Sequence, residues 1–353
     1  MSSENAIQVQ HLYRYFGNLK AVDGVSFSVR KGEVVGFIGA NGAGKTTTMR
    51  ILATLDFPSA GEVSVHGINV INYPMEVRQH IGWMPDHFGT YDNMTILEYL
   101  DFYARALGYK GDERVARIND VMDFTDLTSI SDRLMNKLSK GMGQRLCLGR
   151  ALIHDPDVLI MDEPAAGLDP RARVELKRLI RILSEEGKTI FISSHILGEL
   201  QEMCDSLLFI NAGKIIHQGQ ADELLQVTGE TAIMDVQLLE RDTSKLSDWA
   251  ITTPNVNLVE ETRMGGKLEI KDASEEKIAS VLKSMLANGL QVIDFHREQK
   301  RLEDAFIEIL GKAEQNQTRV LPAAPPPITV PPMVSPASPT TPPPAQTTTP
   351  PHG

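Results

Sequence analysis

The sequence predicts an α/β domain, then a smaller α+β domain, then a Pro-rich tail. Short apolar runs, Val34–Ile38, Val158–Met161 and residues 189–193, are strand-length and alternate with helical stretches through residues 5–227. Residues 228–311 read strand, helix, strand, strand, helix, strand. Beyond Arg319 no Asp, Glu, Lys or Arg occurs, and Pro, Thr, Ala and Ser dominate. Such a segment buries too little apolar surface to offset its ordering entropy, so residues 312–353 read as disordered, either a solvated tail or a Pro-rich ligand.

Residues 25–29 alternate with period two, as a half-buried strand does. Val34–Ile38 is continuously apolar and enters glycine, as a buried strand would, with a helix expected over 46–55. Thr95 and Glu98 form a capping-box pattern opening an amphipathic helix through Leu107. Ser139 can cap a helix through His154. Asp169 and Pro170 read as N-cap and first residue of a helix to Glu186. In the second unit, strand 233–239, helix 244–249, strands 256–259 and 267–270, helix 275–288 and strand 291–296 match the split βαβ, ferredoxin-like order. A last helix is expected over 302–310.

Composition narrows the function. A hydrophobic fraction of 42% across 353 residues is ordinary for a globular chain with its own core. The net charge of −11 argues against a general nucleic-acid binder, which would show a basic face. Cys147 and Cys204 are too few for a disulfide framework and too far apart for a zinc motif. Both fall in stretches read as helix and are expected to be buried, inert thiols of a reducing compartment. The N-terminus carries no apolar signal region, and no stretch reaches the ~20 apolar residues of a membrane span. Any membrane association is therefore expected to come through a partner.

Gly39, Ala40, Asn41, Gly42, Ala43, Gly44, Lys45 and Thr46 fit the pattern GxxxxGK[ST], with Thr47 following. The glycines let backbone N–H groups point inward, where they and a helix N-terminus hold phosphates. Lys45 supplies a point charge to the β and γ phosphates, and the Thr46 hydroxyl is placed to ligate Mg²⁺. Val158–Met161 ends in Asp162 and Glu163. Asp162 suits the outer shell of Mg²⁺, and Glu163 suits a base that orients the attacking water. His195 follows another buried strand and is either structural or within reach of a γ-phosphate. Ser139, Lys140, Gly141 and Met142 open a helix, so they are either a good N-cap or a second anion site.

Together these pieces resemble the nucleotide-binding domain of ABC transporters over about residues 5–225. Leu138 to Met142 resembles the signature LSGGQ, with Lys140 and Met142 departing from it. Ala166 to Asp169 is similar to the D-loop, His195 to the switch histidine, and Phe16 to the aromatic that stacks on adenine. The resemblance implies a P-loop ATPase with a helical subdomain near 87–154. It also implies that two such domains pair head to tail, driven by ATP. ATP would then lie between the phosphate loop of one subunit and Ser139 and Gly141 of the other, in a homodimer or a heterodimer with a similar subunit. A separate membrane permease would hold the complex at the cytoplasmic face. Where the family usually has Gln, this chain has Asp86, which either meets Mg²⁺ or points to solvent. The segment around residues 301–310 is similar to the end of an extension found in exporter-type members. Ribosome- or DNA-acting ABC ATPases, other P-loop enzymes and non-catalytic ABC subunits are the competing classes. Glu163 and His195 argue against the last.

Overall fold

The computed structural model describes residues 4–87, 89–201, 203–220, 231–239, 243–271 and 273–297. The helix expected over 302–310, the tail over 312–353 and the domain boundary at 227/228 lie outside them.

Strands β1 (Asn5–Phe16), β2 (Leu19–Arg30), β3 (Val34–Ile38), β4 (Ala60–Val65), β5 (Ile68–Asn69) and β6 (Ile81–Met84) come first, with α1 (Lys45–Leu52) and α2 (Pro74–His80) between them. Helices α3 (Ile96–Ala106), α4 (Gly111–Phe124) and α5 (Lys140–Leu152) follow, then β7 (Val158–Met161), α6 (Pro170–Glu185), β8 (Thr189–Ser194), α7 (Leu197–Gln201), β9 (Ser206–Asn211) and β10 (Lys214–Gln220). An antiparallel sheet has the order β2-β1-β4-β5, and a six-stranded sheet the order β10-β9-β3-β8-β7-β6. In the latter β9, β3, β8, β7 and β6 are parallel and β10 is antiparallel.

The continuous apolar runs follow from burial on both sheet faces. Val34, Ile38, Leu159, Met161, Ile190 and Ile192 pack into a core shared with α3 to α6. Their alternates Val35, Phe37, Val158, Ile160 and Phe191 pack into a second core with α1 and the antiparallel sheet. There Phe27 and Phe191 stack with centroids 5.5 Å apart. Period-two geometry thus divides each strand between two cores.

Capping sets the helix starts. The Thr95 hydroxyl accepts from the Glu98 amide at 3.2 Å, and Glu98 Oε2 accepts from the Thr95 amide at 2.8 Å, closing the expected box. Asp169 caps α6 through the Ala172 amide at 2.9 Å. Helix α1 ends at Leu52 rather than residue 55, because Thr54 turns to φ +59°. Cys147 lies in α5, and burial pushes its thiol up to about 11. Cys204 does not lie in a helix as expected. It follows α7, on the short link that turns into β9, and burial also raises its thiol.

After β10 the described elements are β11 (Thr231–Leu238), α8 (Ser244–Thr252), β12 (Val256–Thr262), β13 (Gly265–Lys271), α9 (Glu275–Ala287) and β14 (Val292–Arg297). Their sheet has the order β12-β13-β11-β14, with every neighbouring pair antiparallel. It has its own core, including Val236, Leu246, Trp249, Leu268 and Met285. Trp249 Nε1 donates to Ser284 Oγ at 3.3 Å, joining α8 to α9.

Candidate functional site

The neighbouring order β3-β8-β7-β6 aligns the carboxyl ends of four parallel strands. The loop of residues 39–44 leaves β3, His195 follows β8, Asp162 and Glu163 follow β7, and Asp86 lies just past β6. Open parallel sheets bind ligands along this edge. A cavity of about 590 Å³ opens here, lined by Phe16, Ala40, Asn41, Gly42, Gly44, Lys45, Thr46, Thr47, Asp86, Glu163, Ala166 and His195, among others.

The loop is held by its own backbone. Ala43 N–H donates to Ala40 O at 3.1 Å, and Ala43 O accepts from Gly213 N–H at 2.9 Å. Gly44 caps α1 at φ +109°, and a Cβ there would stand 2.4 Å from Ala21 O. Only glycine fits that turn. The Lys45 ammonium is buried, donates to Gly39 O at 2.6 Å and lies 3.3 Å from Glu163 Oε1.

Glu163 is held on every side. Its φ is +49°, a region that non-glycine residues seldom occupy and that marks constrained functional positions. Its amide donates to Ser193 Oγ at 2.9 Å, and Oε2 lies 2.7 Å from His195 Nδ1. The Ser193 hydroxyl donates to Asp162 Oδ1 at 2.7 Å. Asp162 is 2% exposed, and its carboxyl is raised above the usual range by burial. Hydrogen bonds from Ser193 and Thr46 pull it back down, while the charges of Glu163 and Asp86 add to the rise. Oxygen donors with this much negative charge fit a hard divalent cation, and Thr46, Asp162 and Asp86 are the residues that would hold Mg²⁺.

Phe16 is half-exposed at the cavity rim, with the Arg14 guanidinium 4.3 Å from its ring centroid. Arg14 is itself fixed by Asp56 at 2.8 Å. One ring face is thus covered by a cation.

Ser139, Lys140, Gly141, Met142 and Asp169 are not brought to this cavity. Ser139 Oγ accepts from the Met142 amide at 3.3 Å, capping α5. Ser139 and Lys140 line a smaller cavity of about 160 Å³ that shares Asp86. Gly141 faces α6 so closely that a Cβ would stand 2.7 Å from Ala172 Cβ. The Lys140 ammonium lies against Gly167 of the 166–169 loop.

Sequence reasoning missed Ser193, which links the Asp162 carboxylate to the Glu163 main chain. Its position as the penultimate residue of β8, one strand over from β7, was the available signal. It also missed Arg150, partly buried between Tyr99 and Tyr103, which donates to Trp83 O at 2.9 Å and ties the helical segment to β6.

A glycine-rich loop entering a helix, a buried lysine, and carboxylates at the end of a strand two places over in the same parallel sheet define a P-loop nucleotide hydrolase. Residues 22–166 match the profile of the ABC transporter family. The chain is 42% identical over 209 residues to the ABC transporter ATP-binding protein NatA of Bacillus subtilis, covering 59% of this chain and 85% of that protein. It is 32% identical over 313 residues to Nod factor export ATP-binding protein I of Ralstonia nicotianae, covering 88% of this chain and 96% of that protein. The ADP conformation of a solved ATP-binding cassette of an ABC transporter superposes with a TM-score of 0.58 at 28% identity, covering 62% of this chain and 92% of that one. The chain belongs to the ATP-binding subunits of ABC transporters, and it is an ATPase.

Proposed function

We propose that the chain binds MgATP in the cavity at the carboxyl edge and powers a separate membrane permease, in the export direction. The observation that carries the site assignment is the convergence of Lys45, Glu163 and His195, with Glu163 within 3.3 Å of both others. The loop amides and Lys45 hold the β and γ phosphates, and Phe16 stacks on the adenine through its free face. Thr46 and Asp162 hold the metal side, with Asp86 beside them. Bound Mg²⁺ neutralises charge on the phosphates. Glu163 accepts a proton from the attacking water, and His195 orients Glu163 and reaches toward the γ-phosphate. Both Glu163 oxygens point at fixed cationic or N–H groups, so water meets a pre-positioned base.

Ser139, Lys140, Gly141, Met142 and Asp169 lie outside this cavity, which supports their acting on a second subunit's nucleotide. Two chains would then pair head to tail, in a homodimer or a heterodimer with a similar ATPase. Among the described residues no helix is long and apolar enough to cross a membrane, which supports a separate permease holding the complex at the cytoplasmic face. The export reading rests on the Nod factor export relative, whose similarity extends past the cassette over 88% of this chain. In this reading residues 5–227 form the cassette. The topology of the third sheet supports a ferredoxin-like accessory domain over 228–311.

Mixing Lys45→Ala with Ser139→Arg tests the pairing. In their mixed dimer one interface carries both defects and the other carries none. ATPase activity should return to about half, unless the two sites must fire in alternation. Full activity in the Ser139→Arg variant alone would overturn the shared site. Co-purification of a membrane permease with the full chain tests the partner.

A further inference from the structure

A second cluster lies away from the carboxyl edge. His66 occupies the turn between β4 and β5, His80 ends α2, and Asp157 immediately precedes β7. Each is placed by a different part of the scaffold. His66 is held at φ +52° with its amide donating to Ala6 O at 2.8 Å. Asp157 O accepts from the Thr189 amide at 2.9 Å.

His80 Nδ1 lies 2.8 Å from Asp157 Oδ2, and His66 Nε2 lies 3.9 Å from the same oxygen. One ligand atom from each residue falls within 4.8 Å of the other two. His66 Nε2 is shut off from solvent and has no hydrogen-bond partner among the described residues, whereas most buried polar atoms are paired. The two imidazoles lie with centroids 5.2 Å apart.

We propose that His66, His80 and Asp157 form a site for a zinc-class divalent transition ion, with solvent completing its coordination. Two imidazoles and one carboxylate select Zn²⁺, Ni²⁺ or Cu²⁺ over Mg²⁺ and Ca²⁺, which prefer oxygen. A tetrahedral ion with ligands at ~2.0–2.1 Å needs donor atoms about 3.4 Å apart. The histidines close toward that spacing by small ring rotations, while the His80–Asp157 pair opens slightly. Burial lowers the basicity of His66, with His80 and Lys31 acting in the same direction and Asp157 opposing them. Neutral imidazole is the form that binds metal. Lys31 is a nearby charge that disfavours a cation, and the Asp157 carboxylate offsets it. The bound ion would tie the antiparallel sheet, α2 and the parallel sheet together, a structural clamp separate from the nucleotide site.

The test is titration of the full-length, chelator-stripped, nucleotide-free protein with Co²⁺, followed by visible absorption, and then with Zn²⁺ in competition. One equivalent should bind with a d–d band typical of low coordination, and Zn²⁺ should displace it and raise the melting temperature. His80→Gln and Asp157→Asn, both at partly exposed positions, should each weaken binding by about 10-fold or more, since even an outer-shell partner costs 10–100-fold. Removing the nucleotide-site donors in Glu163→Gln/His195→Ala should leave the band in place. No binding to the unsubstituted chain, unchanged binding in both cluster variants, or loss confined to the Glu163/His195 variant would each overturn the proposal. Circular dichroism identifies a misfolded variant, and the other one then decides.

Discussion

The Lys45 ammonium lies 3.3 Å from Oε1 of Glu163, and both side chains are nearly buried, at 6% and 13% exposure. The group expected to hold a phosphate and the group expected to polarise water are therefore paired with each other. A phosphate entering the cavity competes with Glu163 for Lys45. Gly39 O and Ala40 O, which also accept from the ammonium, keep it in place during the exchange.

Glu163→Gln should slow ATP hydrolysis by about 10²- to 10⁴-fold, the range for losing a general base. Because the amide no longer holds Lys45 by charge, ATP affinity should stay equal or rise several-fold. Single-turnover kinetics and calorimetry read the two effects separately. A fall in affinity would mean that Glu163 helps place the lysine rather than competing for it.

Ser193→Ala should lower hydrolysis by about 10- to 100-fold, the cost of losing a group that orients a working residue. The serine accepts from the Glu163 amide and donates to Asp162. It lines no part of the nucleotide cavity, so ATP affinity should hold. Equilibrium binding alongside turnover separates this from a general loss of fold.

Asp162→Asn should abolish hydrolysis yet leave the metal-free protein no less stable. Burial holds this carboxyl above its usual range. A carboxyl raised in the folded state binds its proton more tightly there than when unfolded. Its contribution is most favourable below the unfolded value and declines as pH rises through the folded one. At pH 7 the ionised group is a net cost, so the variant should melt at the same temperature or up to about 3 °C higher. That gain should vanish at acid pH, where the wild-type carboxyl is itself neutral. A variant melting several degrees lower at pH 7 would contradict the sign.

Asp86→Gln should raise the Mg²⁺ concentration for half-maximal ATPase activity several-fold, with little change at saturating metal. Asp86 lines the cavity, and its charge acts on Asp162. Unit charges ~4 Å apart at an effective dielectric of ~20 attract by about 4 kcal/mol, more for a divalent ion. Desolvation and repulsion from Asp162 and phosphate remove most of that gain, leaving about 1 kcal/mol. Superimposable Mg²⁺ titrations would take Asp86 off the metal side.

Much of the site was legible because its motifs are local. The phosphate loop needs glycines at fixed spacing, a strand before it and a helix after it, and all lie within residues 34–52. The Thr95–Glu98 box and the Asp169 cap were readable for the same reason, since each closes over four residues. Cys204 was misplaced because apolar spacing in Ile196 to Cys204 suits a helix, while the chain must turn there to enter β9. The β1–β2 hairpin was seen only in part. Its register shifts interrupt the alternation, leaving residues 25–29 as the clean stretch.

The sequence by itself determined which segments are buried strands, where the main helices start, and which residues are the candidates for phosphate, metal and proton chemistry. Those properties depend on side-chain type and on periods of a few residues. Only the tertiary structure decided that β3, β8, β7 and β6 are neighbours in that order. That order sets Ser193 between Asp162 and Glu163, joins Glu163 to both Lys45 and His195, and gathers His66, His80 and Asp157 at another place. The strands involved are short, almost wholly buried and largely apolar, so little in a strand's own residues names its partner. Pairing is settled when both sheet faces are covered at once, which is a property of the whole core.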